Sequence, residues 1–307
     1  MPLQYNTSCS LCPRQCHVDR HTSLGYCGID TRIPIASICL HQGEEPVISG
    51  DNGICNVFFS HCNLQCRYCQ NHQISRNQTI PEYWSPDRVV RRIEHILEQG
   101  TDRLGFVSPS HVIPQVVEII LSLHHRGQHP TIVYNSSGYD NVDTLRDLEG
   151  LIDVYLPHLK YMDRKLAEYL SDAADYPTAA GLALVEMARQ MGGPTLRLDE
   201  TGLARHGMII RHLVLPGHPQ NSIACLNWIA EHLSTDVHIS LMSQYHPTKD
   251  VADLPPFNRL VSEKEYESVC LHLGELGFEN GWIQELDSPS HYRPDFNQDH
   301  PFEDKPS

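Results

Sequence analysis

Three cysteines stand within eight residues of this chain, Cys62, Cys66 and Cys69 in CNLQCRYC. The spacing C-x3-C-x2-C lets three thiolates converge from one short loop onto one inorganic centre. Disulfides among such close neighbours are disfavoured, because the bond demands a narrow range of Cα separations and torsions. A cubane [4Fe–4S] cluster takes four ligands, usually all cysteine. With only three supplied, one iron stays open, and an open position separates a reactive metal site from a closed structural one. The other chemistry open to the triplet is a zinc loop that borrows a fourth ligand, His61 or His72. A second set, Cys9, Cys12, Cys16 and Cys27, has the spacing C-x2-C-x3-C-x10-C. Four thiolates suffice for a closed site, structural zinc or a second iron–sulfur cluster, and Gly25 and Gly28 suit a tight knuckle around Cys27.

The elements that must position these residues can be read from the pattern of apolar residues. Val57-Phe58-Phe59 reads as a short buried strand ending just before the triplet. Ser85 caps a helix with Pro86 at its first position, and Val89, Val90, Ile93, Ile96 and Leu97 share one face before Gly100. Further β-rich runs follow at 103–108, 131–135, 152–156, 208–215 and 236–242. Helical patterns separate most of them, at 114–125, near 143–149, in parts of 163–191 and at 221–233. A last helix opens with the capping box Ser262-x-x-Glu265 and ends at Gly277. Six strands alternating with helices predict a parallel α/β sheet, since parallel neighbours need crossovers. No GxGxxG or GxxxxGK[ST] motif occurs. The residues with chemistry instead follow strand ends, where a barrel collects its active site, so the expected fold is a partial (β/α)6 barrel. The expected division is a cysteine-rich extension over 1–50, the barrel over 51–287 and a loose, proline- and charge-rich tail over 288–307.

Composition narrows the function classes. The 307 residues include 38 acidic against 23 basic, a net charge of −15, which repels phosphate backbones and argues against non-specific nucleic-acid binding. Neither a run of 18 apolar residues nor a basic-then-apolar start is present, so no membrane span or secretory signal is expected. Seven of the eleven cysteines lie in the two clusters, a usage that fits a reducing cytoplasm.

CNLQCRYC followed by QNHQIS is similar to the signature of the radical S-adenosylmethionine (SAM) superfamily. The wider chain resembles the branch related to pyruvate formate-lyase activating enzymes, specifically uncharacterised iron–sulfur paralogues of the activating enzyme. SLCPRQC, VYNSSGYD, DVYLPHLKY, RHLVLPG and LMSQYHP carry that likeness. The resemblance implies that Cys62, Cys66 and Cys69 hold three irons of a [4Fe–4S] cluster and that SAM chelates the fourth. It places Tyr68 beside the adenine, Asn135 and Ser137 at the ribose, Lys160 at the SAM carboxylate, and Arg211 and His246 at the SAM pocket. It departs from the wider pattern at Val107-Ser108-Pro109-Ser110-His111, where many members carry Gly-Gly-Glu. His158 stands where activating enzymes tend to have aspartate, which would make a contact near SAM depend on pH.

The implied activity is reductive cleavage of SAM to a 5′-deoxyadenosyl radical that abstracts hydrogen. The implied partners are a flavodoxin or ferredoxin as electron donor and a glycyl-radical enzyme as substrate. Modification of another protein or an RNA is the nearer alternative, and a non-catalytic zinc-binding module the more distant one.

Overall fold

The computed structural model describes residues 4–286, 294–298 and 300–302; the remainder of the expected 288–307 tail lies outside the described residues. The strands in chain order are β1 (Ile33–His41), β2 (Ile54–Phe59), β3 (Glu82–Trp84), β4 (Arg103–Val107), β5 (Thr131–Asn135), β6 (Val154–Tyr155), β7 (Arg197–Leu198), β8 (Ala204–Leu213), β9 (His238–Met242) and β10 (Gly281–Ile283). The helices are α1 (Gln4–Thr7), α2 (Pro46–Ser49), α3 (His72–Ser75), α4 (Pro86–Leu97), α5 (Ile113–His125), α6 (Val142–Arg146), α7 (Arg164–Ser171), α8 (Tyr176–Gln190), α9 (Pro219–His232) and α10 (Glu263–Glu275).

The strands form one sheet in the order β10-β9-β8-β6-β5-β4-β2-β1-β3, with β7 paired to β8. Neighbours from β2 round to β10 are parallel. β1 runs antiparallel to β2, and β3 antiparallel to β1. The path does not close on itself, so the expected α/β partial barrel is what forms. Local signals act as read: Ser85 Oγ accepts from the Arg88 N–H at 3.3 Å, and Ser262 and Glu265 make the reciprocal capping box of α10. Sequence periodicity gives six parallel strands, whereas the structure adds β10 as a seventh. Its three residues are too few to show a period. β1 also escapes the pattern, because it buries residues on both faces. It lies within 1–50 yet pairs from Ile35↔Phe59 to His41↔Ile54, so the extension shares the barrel's sheet.

Alternation along the strands separates two cores. Ile132, Tyr134, Tyr155, Met208 and Ile210 pack toward the helices. Their neighbours Val133, Val154 and Ile209 turn inward and close around Ile48 of α2, which is wholly buried. The short helix between β1 and β2 is therefore a plug in the barrel floor. Above it the inward positions hold the functional residues. The described part of the tail returns over the opposite opening: Phe296 and Phe302 pack on Phe58, and Gln73 donates to Asp295 at 3.1 Å. No helix among the described residues is long and apolar enough to cross a membrane.

Candidate metal and cofactor centre

The cysteine loop leaves the end of β2 and is held in a shape that costs energy. His61 and Gln65 both have left-handed backbone, with φ of 69° and 56°, a conformation worth about 1–3 kcal/mol of strain at each. Their side chains secure it. The His61 ring lies against the Cys27 and Thr79 carbonyls, at 2.8 Å each. Gln65 Nε2 donates to the Cys62 carbonyl at 3.1 Å and to the Ser75 carbonyl and Asn77 Oδ1 at 2.7 Å each. With both nitrogens engaged, His61 has none left for zinc, which removes it as the fourth ligand of a zinc loop.

Each thiol of the triplet receives a hydrogen-bond donor. The Leu64 N–H reaches Cys62 Sγ at 3.5 Å, Ser171 Oγ reaches Cys66 Sγ at 3.1 Å, and Ser75 Oγ reaches Cys69 Sγ at 3.2 Å. Burial, reinforced by the neighbouring thiols, pushes Cys62 up to about 12, and burial raises Cys69 as well, with Lys160 opposing. Cys62 and Cys69, raised in this way, stay protonated without a cation, and bound iron would supply the charge that releases those protons. All three are free of disulfides. No three His, Cys, Asp or Glu side chains among the described residues are placed to share one metal ion. A cubane does not ask for that, because each thiolate takes its own iron. The triplet therefore fits an open iron–sulfur cluster.

Cys66 and Cys69 open onto a cavity of about 290 Å³ inside the barrel, and Tyr68, Asn135, Ser137, Lys160 and Arg211 line the same space. Asn135 ends β5, and Ser137 follows at a turn completed by Gly138, whose φ is 82°. A Cβ on Gly138 would stand 2.2 Å from the His158 carbonyl, so only glycine lets this loop pass β6's continuation. Ser137 Oγ and His158 Nδ1 are buried without a hydrogen-bond partner in the wall of the cavity. Burial, with the Lys160 and Arg211 charges adding to it, holds His158 well below the usual imidazole value. Val107 and Ser108 of the segment that replaces Gly-Gly-Glu also line the cavity.

Two expected cofactor residues have other engagements. Arg211 reaches the cavity, but its Nε and Nη2 donate to the two carboxylate oxygens of Glu45 at 2.8 and 2.5 Å, and Nη2 also pairs with Glu44. Burial alone would raise Glu44, yet the guanidinium outweighs it and holds the carboxyl at about 2. Arg211 thus ties the floor plug to β8 while forming part of the wall. Tyr68 faces the cavity and belongs to a relay as well, its hydroxyl 2.6 Å from Tyr161 Oη, which is 2.7 Å from Ser171 Oγ. His246 is half-buried and is not among the residues lining the cavity. Sequence reasoning missed Glu44, Glu45, Gln65, Ser75 and Ser171. Only the juxtaposition Glu44-Glu45 before an apolar turn carried a local signal. The four N-terminal cysteines line a second, much smaller void of about 10 Å³, apart from the cavity.

The model of the Radical SAM superfamily matches residues 56–223. An uncharacterised protein of Methanocaldococcus jannaschii, MJ0674, is 27% identical over 277 residues, covering 87% of this chain and 74% of that one. HydG, described as a maturase of the [FeFe]-hydrogenase, superposes with a TM-score of 0.50 at 15% identity over 73% of this chain, a likeness of fold alone; the chain spans 50% of HydG's length. Native anSMEcpe with bound AdoMet gives a TM-score of 0.46 at 12% identity, over 72% of this chain and 59% of that one. Because the family match spans more than half of the chain, with the cysteine loop inside it, this protein belongs to the radical SAM superfamily.

Proposed function

We propose that the chain is an enzyme of the branch related to pyruvate formate-lyase activating enzymes, and that it uses SAM and one electron to remove a hydrogen atom from a substrate. Superfamily membership implies a [4Fe–4S] cluster and SAM. Together they supply reductive cleavage of the sulfonium C–S bond, which yields methionine and a 5′-deoxyadenosyl radical. The observation that carries the reading is one cavity that joins two thiols of the triplet to Lys160, Asn135 and Ser137. Lys160 offers a compact positive charge for a carboxylate, and its ammonium has no ion-pair partner among the described residues. Asn135 and Ser137 offer polar groups for ribose hydroxyls, and Tyr68 an aromatic face. His158, neutral in its buried position, adds a hydrogen-bonding edge without charge. The plug of α2 closes the floor and the apolar strands exclude water, which keeps a reactive species from being quenched.

On the resemblance, the substrate is a glycine Cα–H in a glycyl-radical enzyme, and the electron comes from a flavodoxin or ferredoxin. The cytoplasm is the matching compartment, since all eleven cysteines are free thiols. The test is isotopic. Reduced enzyme with SAM and a candidate protein labelled with deuterated glycine should release 5′-deoxyadenosine carrying deuterium. Deoxyadenosine without deuterium, formed equally without the protein, would redirect the assignment to another substrate.

A further inference from the structure

The four N-terminal cysteines lie outside the family match, at residues 9–27 against 56–223, and the reading above gives them no role. The fold nevertheless assembles them with care. Cys9, Cys12, Cys16 and Cys27 come from two turns and line one small void. Gln15 and His17, flanking Cys16, are both in left-handed backbone, with φ of 40° and 51°. The Tyr26 N–H donates to Cys16 Sγ at 3.3 Å. Gly25 packs tightly on the site, because a Cβ there would stand 3.0 Å from Cys16 Cβ and Sγ. Arg20 also lines the void and is 1% exposed; one terminal nitrogen donates to the Asp30 carbonyl at 2.6 Å, while Nε and Nη1 find no hydrogen-bond partner. A buried guanidinium with unused donors, facing four thiols, is arranged for a site whose net charge is negative.

Size separates the two candidate occupants. Four sulfurs each about 2.3 Å from one zinc would crowd together and leave no room for a water-sized sphere. Here no three of the four thiols are placed to share one ion, and the void that they line together with Leu11, Arg20 and Ile29 holds about 10 Å³. Wider spacing suits a cubane, in which each thiolate binds a different iron around a larger body.

The site is joined to the triplet loop. His61, the residue before Cys62, has Nδ1 2.8 Å from the Cys27 carbonyl. Asn63, the residue after Cys62, accepts from the Cys62 thiol on Oδ1 at 3.7 Å. Arg14 Nε donates to the Asn63 carbonyl at 3.0 Å. Arg14, which lines the N-terminal void, thus reaches the residue that meets Cys62.

We infer that Cys9, Cys12, Cys16 and Cys27 hold a second, fully ligated [4Fe–4S] cluster that relays electrons to the SAM-binding centre. This rests on the reading of the triplet as iron–sulfur. In the relay, a flavodoxin or ferredoxin is oxidised by one electron, the N-terminal centre accepts it, and that centre is reoxidised as the triplet centre is reduced. No bond is made or broken and no proton moves.

Metal content and electron paramagnetic resonance of anaerobically reconstituted protein test this. Wild type should hold about eight irons and no zinc per chain, with two signals on reduction, only one of which shifts when SAM is added. Cys12→Ser should lose about four irons and keep the SAM-shifted signal. Dithionite should still reduce its triplet centre, while reduction by a flavodoxin should slow by about an order of magnitude or more. Wild type with about four irons, one zinc and a SAM-shifted signal overturns the inference and leaves the proposed activity standing, and this result does not depend on the variant folding. Equal flavodoxin rates in the two proteins overturn the relay. Loss of any SAM-shifted signal in wild type overturns the proposed activity, and the relay with it.

Discussion

Lys160 and His158 sit two positions apart at the end of β6 and face one cavity, yet they carry charge differently. Lys160 presents its ammonium to that space, whereas burial keeps His158 neutral. Lys160→Ala should weaken SAM binding by about 1.5–3 kcal/mol, the range for a charge-assisted hydrogen bond, roughly 10- to 150-fold in dissociation constant. Iron content and melting temperature should hold, as measured by equilibrium binding and thermal denaturation; unchanged affinity with a large loss of stability would make the residue structural. His158 would protonate only well below its ordinary value of 6.5. SAM affinity should therefore be flat between pH 6 and 8 where His158 is concerned. A titration in that window that disappears in His158→Gln would contradict the neutral assignment. At this scale the sequence was informative where ligands cluster, as in the triplet, and silent where contacts are long-range. Ser171 lies 105 residues from the Cys66 it supports, and Gln65 looks like an ordinary loop residue until its three bonds are seen.

The floor plug is the element the pattern of apolar residues could not reveal. α2 has four residues, too short for a helical period, and its importance comes from where β1 and β2 bring it. Ile48 fills the centre of the barrel, so Ile48→Ala should cost about 2–5 kcal/mol in chemical denaturation. Beside it, Glu44 and Glu45 share Arg211 in a buried network. Removing the guanidinium strands two carboxylates, so Arg211→Ala should destabilise by about 3–5 kcal/mol. The contrast with Lys160→Ala is the informative comparison. If Arg211→Ala keeps wild-type stability and loses only SAM affinity, the ion-pair account of that residue is wrong. The resemblance put Arg211 at the SAM pocket; its carboxylate partners were not legible, because they lie 166 and 167 residues away.

Over the whole molecule, the order of strands follows from rules that act on any alternating α/β chain, which is why the partial barrel could be expected before its geometry was known. The missed strands are β1, which carries no clean alternation, and β3, β7 and β10, which have only two or three residues each. A net charge of −15 gives the molecule a field that opposes nucleic acid, so binding to generic duplex RNA should be absent at roughly 0.15 M salt in a mobility-shift assay. The central claim, that three thiolates leave one iron open to SAM, is tested most directly by electron paramagnetic resonance of the reduced, reconstituted protein with and without SAM. SAM should shift the wild-type signal, and dithionite should then release 5′-deoxyadenosine. Alanine at Cys62, Cys66 or Cys69 should abolish both, and a variant that cleaves SAM at the wild-type rate would contradict the account.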